Sequence, residues 1–390
     1  MTKENNISVE TKEKIRQILE YVNLHSLYYN KLFKKNNIDF NDDILNIMKK
    51  IPITDKETFR LNYASILTDS TEKYIEEFTS GSTGIPLMCL KTIEERISAS
   101  LAIWNNRKRW DKDISCYNYL SVWDDLEIRK RLIDVNSDNL IQTLKYIMQK
   151  SPRWFQGPIT IVEKYANLIE SGKIKYNGCI KFIELLGEYV TPYQRSYIEY
   201  VFKCKTIVMY GTREAWCIAY ECKCNELHIL ENNVYLETIY NNNGYNEVVL
   251  TSLYNKKMPL IRYNTYDLGI IKDSDCNCGN NNRILSLSGG RVMDVIKGKN
   301  ILGNVFFGRI FGSIIKKTTN CVAAFKVNQT SLLKFMIYIV KGENYSNDIT
   351  LEIFNKMKKE LGNNIEAEFI FVNNIPISSS GKSKVFESFL

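Results

Sequence analysis

At 390 residues, with 44% hydrophobic and 25% charged side chains, the chain is long enough for two domains and has the balance of a globular protein. Its formal charge of +8 comes from Lys and Arg scattered among acidic residues, so it forms no basic stripe of the kind that grips nucleic acid. Met1 to Glu13 is polar and no apolar run reaches about eighteen residues, so the reading is a cytoplasmic protein without signal peptide or membrane span.

Two histidines leave little room for chemistry built on a histidine base. Ten cysteines without a secretion signal point to reduced thiols or a metal site, against a disulfide framework. Up to about residue 70 the pattern is helical, as at Ile15, Ile18, Leu19 and Val22, and it is broken by Pro52; this part reads as scaffold. His25 falls here and takes a structural or surface role. Thr79-Ser80-Gly81-Ser82-Thr83-Gly84-Ile85-Pro86 interleaves hydroxyls with glycines, which lets backbone N–H groups approach a phosphate closely. By composition alone it could equally be a solvated loop. An apolar row at Ile93, Ile97, Leu101 and Trp104 then predicts a helix packed behind it.

From Ser115 to Gly187 short apolar runs alternate with helical stretches, which predicts an α/β architecture. Lys181 to Leu186 reads as a buried strand, and Thr191-Pro192 opens a helix through Ile198, Val201 and Phe202. The strand Thr206 to Met209 leads into the polar cluster Tyr210-Gly211-Thr212-Arg213-Glu214, at the carboxyl end where such sheets bind ligands. Val234 to Tyr240 and Glu247 to Leu253 flank Asn241-Asn242-Asn243-Gly244, a hairpin signal. Beyond Gly290, strands at Val322 to Val327, Lys334 to Val340 and Ala367 to Val372 surround a helix with Ile349, Ile353, Met357 and Leu361 on one face. The expected division is therefore 1–290 and a compact α+β unit, 291–390.

Cys222, Cys224, His228, Cys276 and Cys278 lie on either side of the predicted hairpin, so folding can gather them. Cys222, His228, Cys276 and Cys278 would make a Cys₃His set for a closed zinc site. The alternative is reduced thiols packed in loops.

Five stretches, in one order, resemble the motifs of the adenylate-forming enzymes, which include acyl-CoA ligases. They are Thr79 to Pro86, Tyr210 to Glu214, Arg262-Tyr263-Asn264-Thr265-Tyr266-Asp267-Leu268-Gly269, Gly290-Arg291-Val292-Met293-Asp294 and Ser380-Gly381-Lys382. Tyr210 to Glu214 followed by Ala219-Tyr220-Glu221-Cys222 is most similar to the phenylacetate-CoA ligase and CapK branch. Two positions depart from the family pattern: Tyr266 stands where Gly is usual, and Met293 where a hinge Asp or Lys is usual.

The resemblance implies a large α/β N-terminal domain, a small α+β lid carrying Lys382, and activation of a carboxylic acid by ATP to an acyl-adenylate. The acyl group then passes to CoA, a carrier protein or an amine. It further implies that Thr79, Ser80, Gly81, Ser82, Thr83 and Gly84 wrap the β- and γ-phosphates, and that Tyr210, Gly211 and Thr212 line the nucleotide, with the Tyr210 ring on adenine. Glu214 would hold Mg²⁺, Asp267 the ribose hydroxyls, Arg291 nucleotide oxygens, and Lys382 the α-phosphate with the attacking carboxylate. Trp154, Phe155, Gly157, Pro158 and the Gly187-Glu188 turn are acyl-pocket candidates, with ordinary core aromatics as the alternative. A non-catalytic nucleotide- or acyl-binding member of the fold is the competing expectation. Oligomeric state stays open.

Overall fold

The computed structural model describes residues 7–79, 87–132, 137–240, 244–291, 294–299, 301–318, 321–375 and 385–390. They fall into two compact units. One takes the chain up to Cys116 with the stretches that start at Ile207 and end at Leu287; the other takes Tyr117–Thr206 and the chain from Ser288 onward.

In the first unit, helix Val9–His25 starts where the Ser8 hydroxyl accepts from the Thr11 N–H, and it buries Ile15, Ile18, Leu19 and Val22. Strands Tyr74–Phe78 and Met88–Thr92 pair antiparallel. Thr92 and Glu95 then form a reciprocal capping box that opens helix Ile93–Trp110. The helix is as expected, but its apolar row is not the buried face: Ile93, Ile97 and Leu101 are 50%, 54% and 57% exposed. Glu95, Ala99, Ile103 and Arg107 face inward instead. A second oxygen of Glu95 accepts the Lys256 and Lys257 N–H groups, so long-range hydrogen bonds reverse the face that periodicity selects.

The remaining strands of this unit lie side by side in the order Lys205–Thr212, Trp216–Glu221, Leu227–Ile229, Ile284–Arg291, Tyr263–Lys272, Asn246–Ser252, Val234–Tyr240. The predicted hairpin is present, with Val234–Tyr240 antiparallel to Asn246–Ser252 in continuous register. One apolar core, including Ile18, Phe33, Phe59, Ile218, Leu236, Val248 and Leu260, joins the N-terminal helices to these strands.

The second unit holds parallel strands Tyr119–Ser121, Trp154–Gly157 and Phe182–Leu186. Helix Pro192–Phe202 has Thr191 as N-cap, Pro192 in its first turn and Gln194 completing a capping box. Trp154 and Phe155 are 0% and 1% exposed: Trp154 stacks on Phe182, and Phe155 packs against Tyr165. Both are core aromatics. Glu188 accepts the Thr160 N–H and hydroxyl at the start of helix Ile159–Glu170. Further along, Val322–Ser331 and Lys334–Lys341 pair antiparallel, with Phe386–Ser388 and Glu366–Phe371 added parallel at either side. Helix Asn347–Leu361 buries Ile349, Ile353, Met357 and Leu361, the face predicted from spacing. Among the described residues no helix is long and apolar enough to cross a membrane.

Candidate active site

The site is built from a hairpin and a bulge, both in the first unit. Strand Lys205–Thr212 turns through Arg213, Glu214 and Ala215 into Trp216–Glu221, so Tyr210, Gly211 and Thr212 end the strand. Tyr210 faces Ala219 and Gly211 faces Cys217, which leaves Ile218 as an extra residue and twists the ribbon. The turn is tight. A Cβ on Gly211 would sit 1.7 Å from the Trp216 carbonyl oxygen, and Trp216 itself adopts φ 54°. Glycine is required there by the close approach of two backbones.

Side chains from elsewhere hold the carbonyls of this turn. Lys91 Nζ donates to the Arg213 oxygen (2.8 Å), Asn255 Nδ2 to that of Glu214 (3.0 Å) and the Tyr254 hydroxyl to that of Ala215 (2.9 Å). The Thr212 hydroxyl accepts the Ala215 N–H. Buried Lys91 also reaches Glu77, which accepts from the Trp216 indole N–H as well. The outcome is a hairpin with little freedom, in which Glu214 is 8% exposed and its carboxylate accepts the Tyr263 hydroxyl at 3.0 Å. Beside it, burial and then the Glu214 charge push the Cys89 thiol up to about 12, so that sulfur is no nucleophile at neutral pH.

Asp267 is presented by the bulge. In strand Tyr263–Lys272, Asn264 faces Val249 and Leu268 faces Glu247, so Thr265, Tyr266 and Asp267 together oppose the single Val248. The Thr265 hydroxyl donates to the Val248 carbonyl and accepts the Asp267 N–H, which fixes the base of the protrusion. Asp267 Oδ2 accepts the Tyr210 hydroxyl at 2.7 Å, across 57 residues of chain. Two predicted nucleotide residues thus touch, one through its ring substituent and one through its carboxylate. Tyr254, Asn255 and Lys91 were not singled out by sequence reasoning, and Tyr263 only as part of the stretch Arg262 to Gly269, with no role of its own. A long polar or aromatic side chain beside a motif was the available signal, and it does not say which carbonyl the side chain will meet.

Thr79 is the described residue of the predicted phosphate loop. Its N–H donates to the Leu87 carbonyl and its hydroxyl accepts the Leu87 N–H, so the chain is clamped on both sides of residues 80–86. Ser80, Gly81, Ser82, Thr83 and Gly84 lie outside the described residues, as do Met293 and Lys382. Arg291 ends strand Ile284–Arg291, and its side chain also lies outside them.

Cys222, His228, Cys276 and Cys278 come together, with donor atoms all within 4.8 Å of one another. The sulfurs of Cys222 and Cys276 are 3.6 Å apart, against about 3.8 Å for two thiolates on one tetrahedral zinc. His228 Nε2 lies 3.2 Å from the Cys278 sulfur. Its Nδ1 is 2.9 Å from the Asn282 carbonyl, which only accepts, so Nδ1 carries the proton and Nε2 is left to ligate. The N–H groups of Cys224 and Asn280 donate to the Cys222 and Cys278 sulfurs. Cys224 itself is exposed and not one of the four. The pairing of His228 with Ile284 sets the register that brings the two segments side by side.

Known proteins share this architecture. Residues 300–388 match the CapK C-terminal domain family. Protein CapK of Staphylococcus aureus is 23% identical over 397 residues, an alignment covering 95% of this chain and 87% of that protein. Among solved structures, 2-hydroxyisobutyryl-CoA ligase in the postadenylation state with R3-HIB-AMP has a TM-score of 0.76 at 15% identity, covering 97% of this chain and 88% of its own. GH3.15 acyl acid amido synthetase has a TM-score of 0.67 at 12% identity, covering 99% and 92%. The chain thus has the α/β fold of the adenylate-forming enzymes, and its residues 300–388 match the C-terminal domain of CapK.

Proposed function

We propose that the protein activates a carboxylic acid with ATP, forming an acyl-adenylate and pyrophosphate, and then transfers the acyl group to a thiol or an amine. The observation that carries this reading is the pair of carboxylates, Glu214 and Asp267, each fixed by a tyrosine hydroxyl. The acid's oxygen attacks the α-phosphorus as the bond to pyrophosphate breaks; an acceptor thiol or amine next attacks the acyl carbon and AMP leaves. Two anions must meet in the first step, so catalysis rests on placement and positive charge, with little demand for a base.

Glu214 fits Mg²⁺, which takes hard oxygen ligands and one or two protein carboxylates beside phosphate oxygens. Held by Tyr263 before the ion arrives, its carboxylate needs no reorganisation. Asp267 would accept from the ribose hydroxyls and Tyr210 would cover adenine. Thr79 to Gly84 would cradle the leaving phosphates, with Arg291 on nucleotide oxygens. Lys382, from a C-terminal lid at 291–390, would approach the α-phosphate and the substrate carboxylate. The Cys₃His cluster fits zinc, which would cross-link the two segments and take no part in the chemistry.

The solved neighbours named above include a CoA ligase and an amido synthetase, which supports either class of acceptor. ATP–pyrophosphate exchange against a panel of aryl, fatty, hydroxy and amino acids tests the first step. We expect exchange with at least one acid, and a loss of roughly 10²-fold or more in Lys382→Ala. Exchange with none of them would support the non-catalytic alternative, and full exchange in Lys382→Ala would remove the role given to that lysine. CoA, amines and carrier protein added separately then identify the acceptor.

A further inference from the structure

Tyr266 occupies a backbone conformation that favours glycine, with φ 59°, at the summit of the bulge that presents Asp267. Its side chain is not idle. The Tyr266 hydroxyl donates to Asp55 Oδ2 at 2.6 Å, and its N–H donates to Asn264 Oδ1 at 2.8 Å. Asp55 is itself anchored: Oδ1 accepts the Thr58 N–H and hydroxyl at the start of helix Lys56–Leu61. Thr54, next to it, bonds through its backbone N–H to the Arg262 carbonyl and through its carbonyl to the Asn264 N–H. Asp55 therefore cannot move without the root of the bulge moving too.

We propose that Asp55 and Tyr266 form a tether that holds the left-handed backbone and thereby positions Asp267, doing through a side-chain hydrogen bond what glycine does by having no Cβ. The inference rests on the reading of Asp267 as the ribose ligand. The two are positioning residues, acting through Asp267 without touching the nucleotide. Their ionisation agrees with the geometry. Burial, then the Asp55 hydrogen bond and charge, raise the Tyr266 phenol, so it stays a donor at neutral pH. At Asp55 burial opposes ionisation, but hydrogen bonds from Tyr266 and Thr58 outweigh it and lower the carboxyl, which stays an acceptor.

The test is calorimetric binding of ATP and of 2′,3′-dideoxyATP, which lacks both ribose hydroxyls, to the full chain. Wild type is expected to prefer ATP, and Asp267→Ala to lose that preference. Tyr266→Phe, which keeps the ring and the strained φ but removes the donor, should lose roughly tenfold of the preference. Asp55→Asn keeps the helix cap through its amide oxygen but meets the Tyr266 hydroxyl with an amide N–H, so a weaker neutral contact replaces the charge-assisted one and the loss should be smaller than in Tyr266→Phe. Tyr266→Gly needs no tether at that φ and should recover most of what Tyr266→Phe loses. A preference abolished in Asp267→Ala yet intact in Tyr266→Phe overturns the tether alone. Tyr266→Gly as deficient as Tyr266→Phe also overturns it, and no preference in wild type removes the ribose reading and the tether together.

Discussion

Gly211→Ala is expected to abolish ATP–pyrophosphate exchange and to lower stability by more than about 3 kcal/mol. The added carbon would stand 1.7 Å from the Trp216 carbonyl oxygen and 3.2 Å from the Cys217 Cα, both backbone atoms. No rotamer change can yield that space, so the hairpin must open. Opening breaks the three carbonyl contacts from Lys91, Asn255 and Tyr254 and carries Glu214 away from Tyr263. Gly308→Ala is the matched control. Nothing lies within 4 Å of a Cβ at that position in helix Gly303–Lys317, so it should be neutral or stabilising by up to about 1 kcal/mol. Thermal unfolding and exchange on both variants decide the matter, and a Gly211→Ala protein with wild-type melting and activity would show that the hairpin tolerates what its geometry forbids.

Removal of the Cys₃His ligands should have the second large effect. Protein purified from zinc-sufficient medium is expected to carry one zinc per chain. Cys276→Ser or His228→Ala should lose it, with more than about 4 kcal/mol of stability, because a structural metal adds its binding energy to folding. Cys224→Ser changes a neighbouring thiol that is not one of the four, so it should keep both metal and stability. Metal analysis with thermal melts before and after chelation reads this directly. Absence of stoichiometric zinc would leave four reduced thiol and imidazole groups with no metal role.

Local signals in the sequence were strong where structure is local. Thr191-Pro192 predicts a helix start because cap and first-turn chemistry lie in adjacent residues, and the 349, 353, 357, 361 face follows from spacing on one helix. Helix Ile93–Trp110 is the contrary case. Its polar residues Glu95 and Arg107 are buried while Ile93, Ile97 and Leu101 of the apolar row are exposed and Trp104 is half-buried, because partners more than 150 residues away satisfy Glu95. Bulges escape sequence reading for a related reason. Whether Thr265, Tyr266 and Asp267 oppose one residue or three depends on where the neighbouring strand begins to pair. The tyrosine at 266 was visible as a departure from the family pattern, but its partner Asp55, 211 residues distant, was not. The cysteines and His228 could be picked out by type and spacing; that their donor atoms converge is a property of the register between His228 and Ile284.

Register elsewhere in the sheet bears on how Tyr210 and Asp267 are kept in place. Joining two points of a flexible chain costs entropy that grows with the logarithm of the intervening length. The antiparallel pairings of Tyr210 with Ala219, Ala219 with Ile229, Val234 with Ser252 and Val249 with Asn264 already close most of the loop that separates Tyr210 from Asp267. Their hydrogen bond therefore forms between segments whose mutual diffusion has been removed by the sheet, and the remaining search covers a few torsions only. On the proposed reading of Asp267, an arriving ribose would meet a carboxylate ordered in advance, and its binding free energy would not be diminished by chain closure.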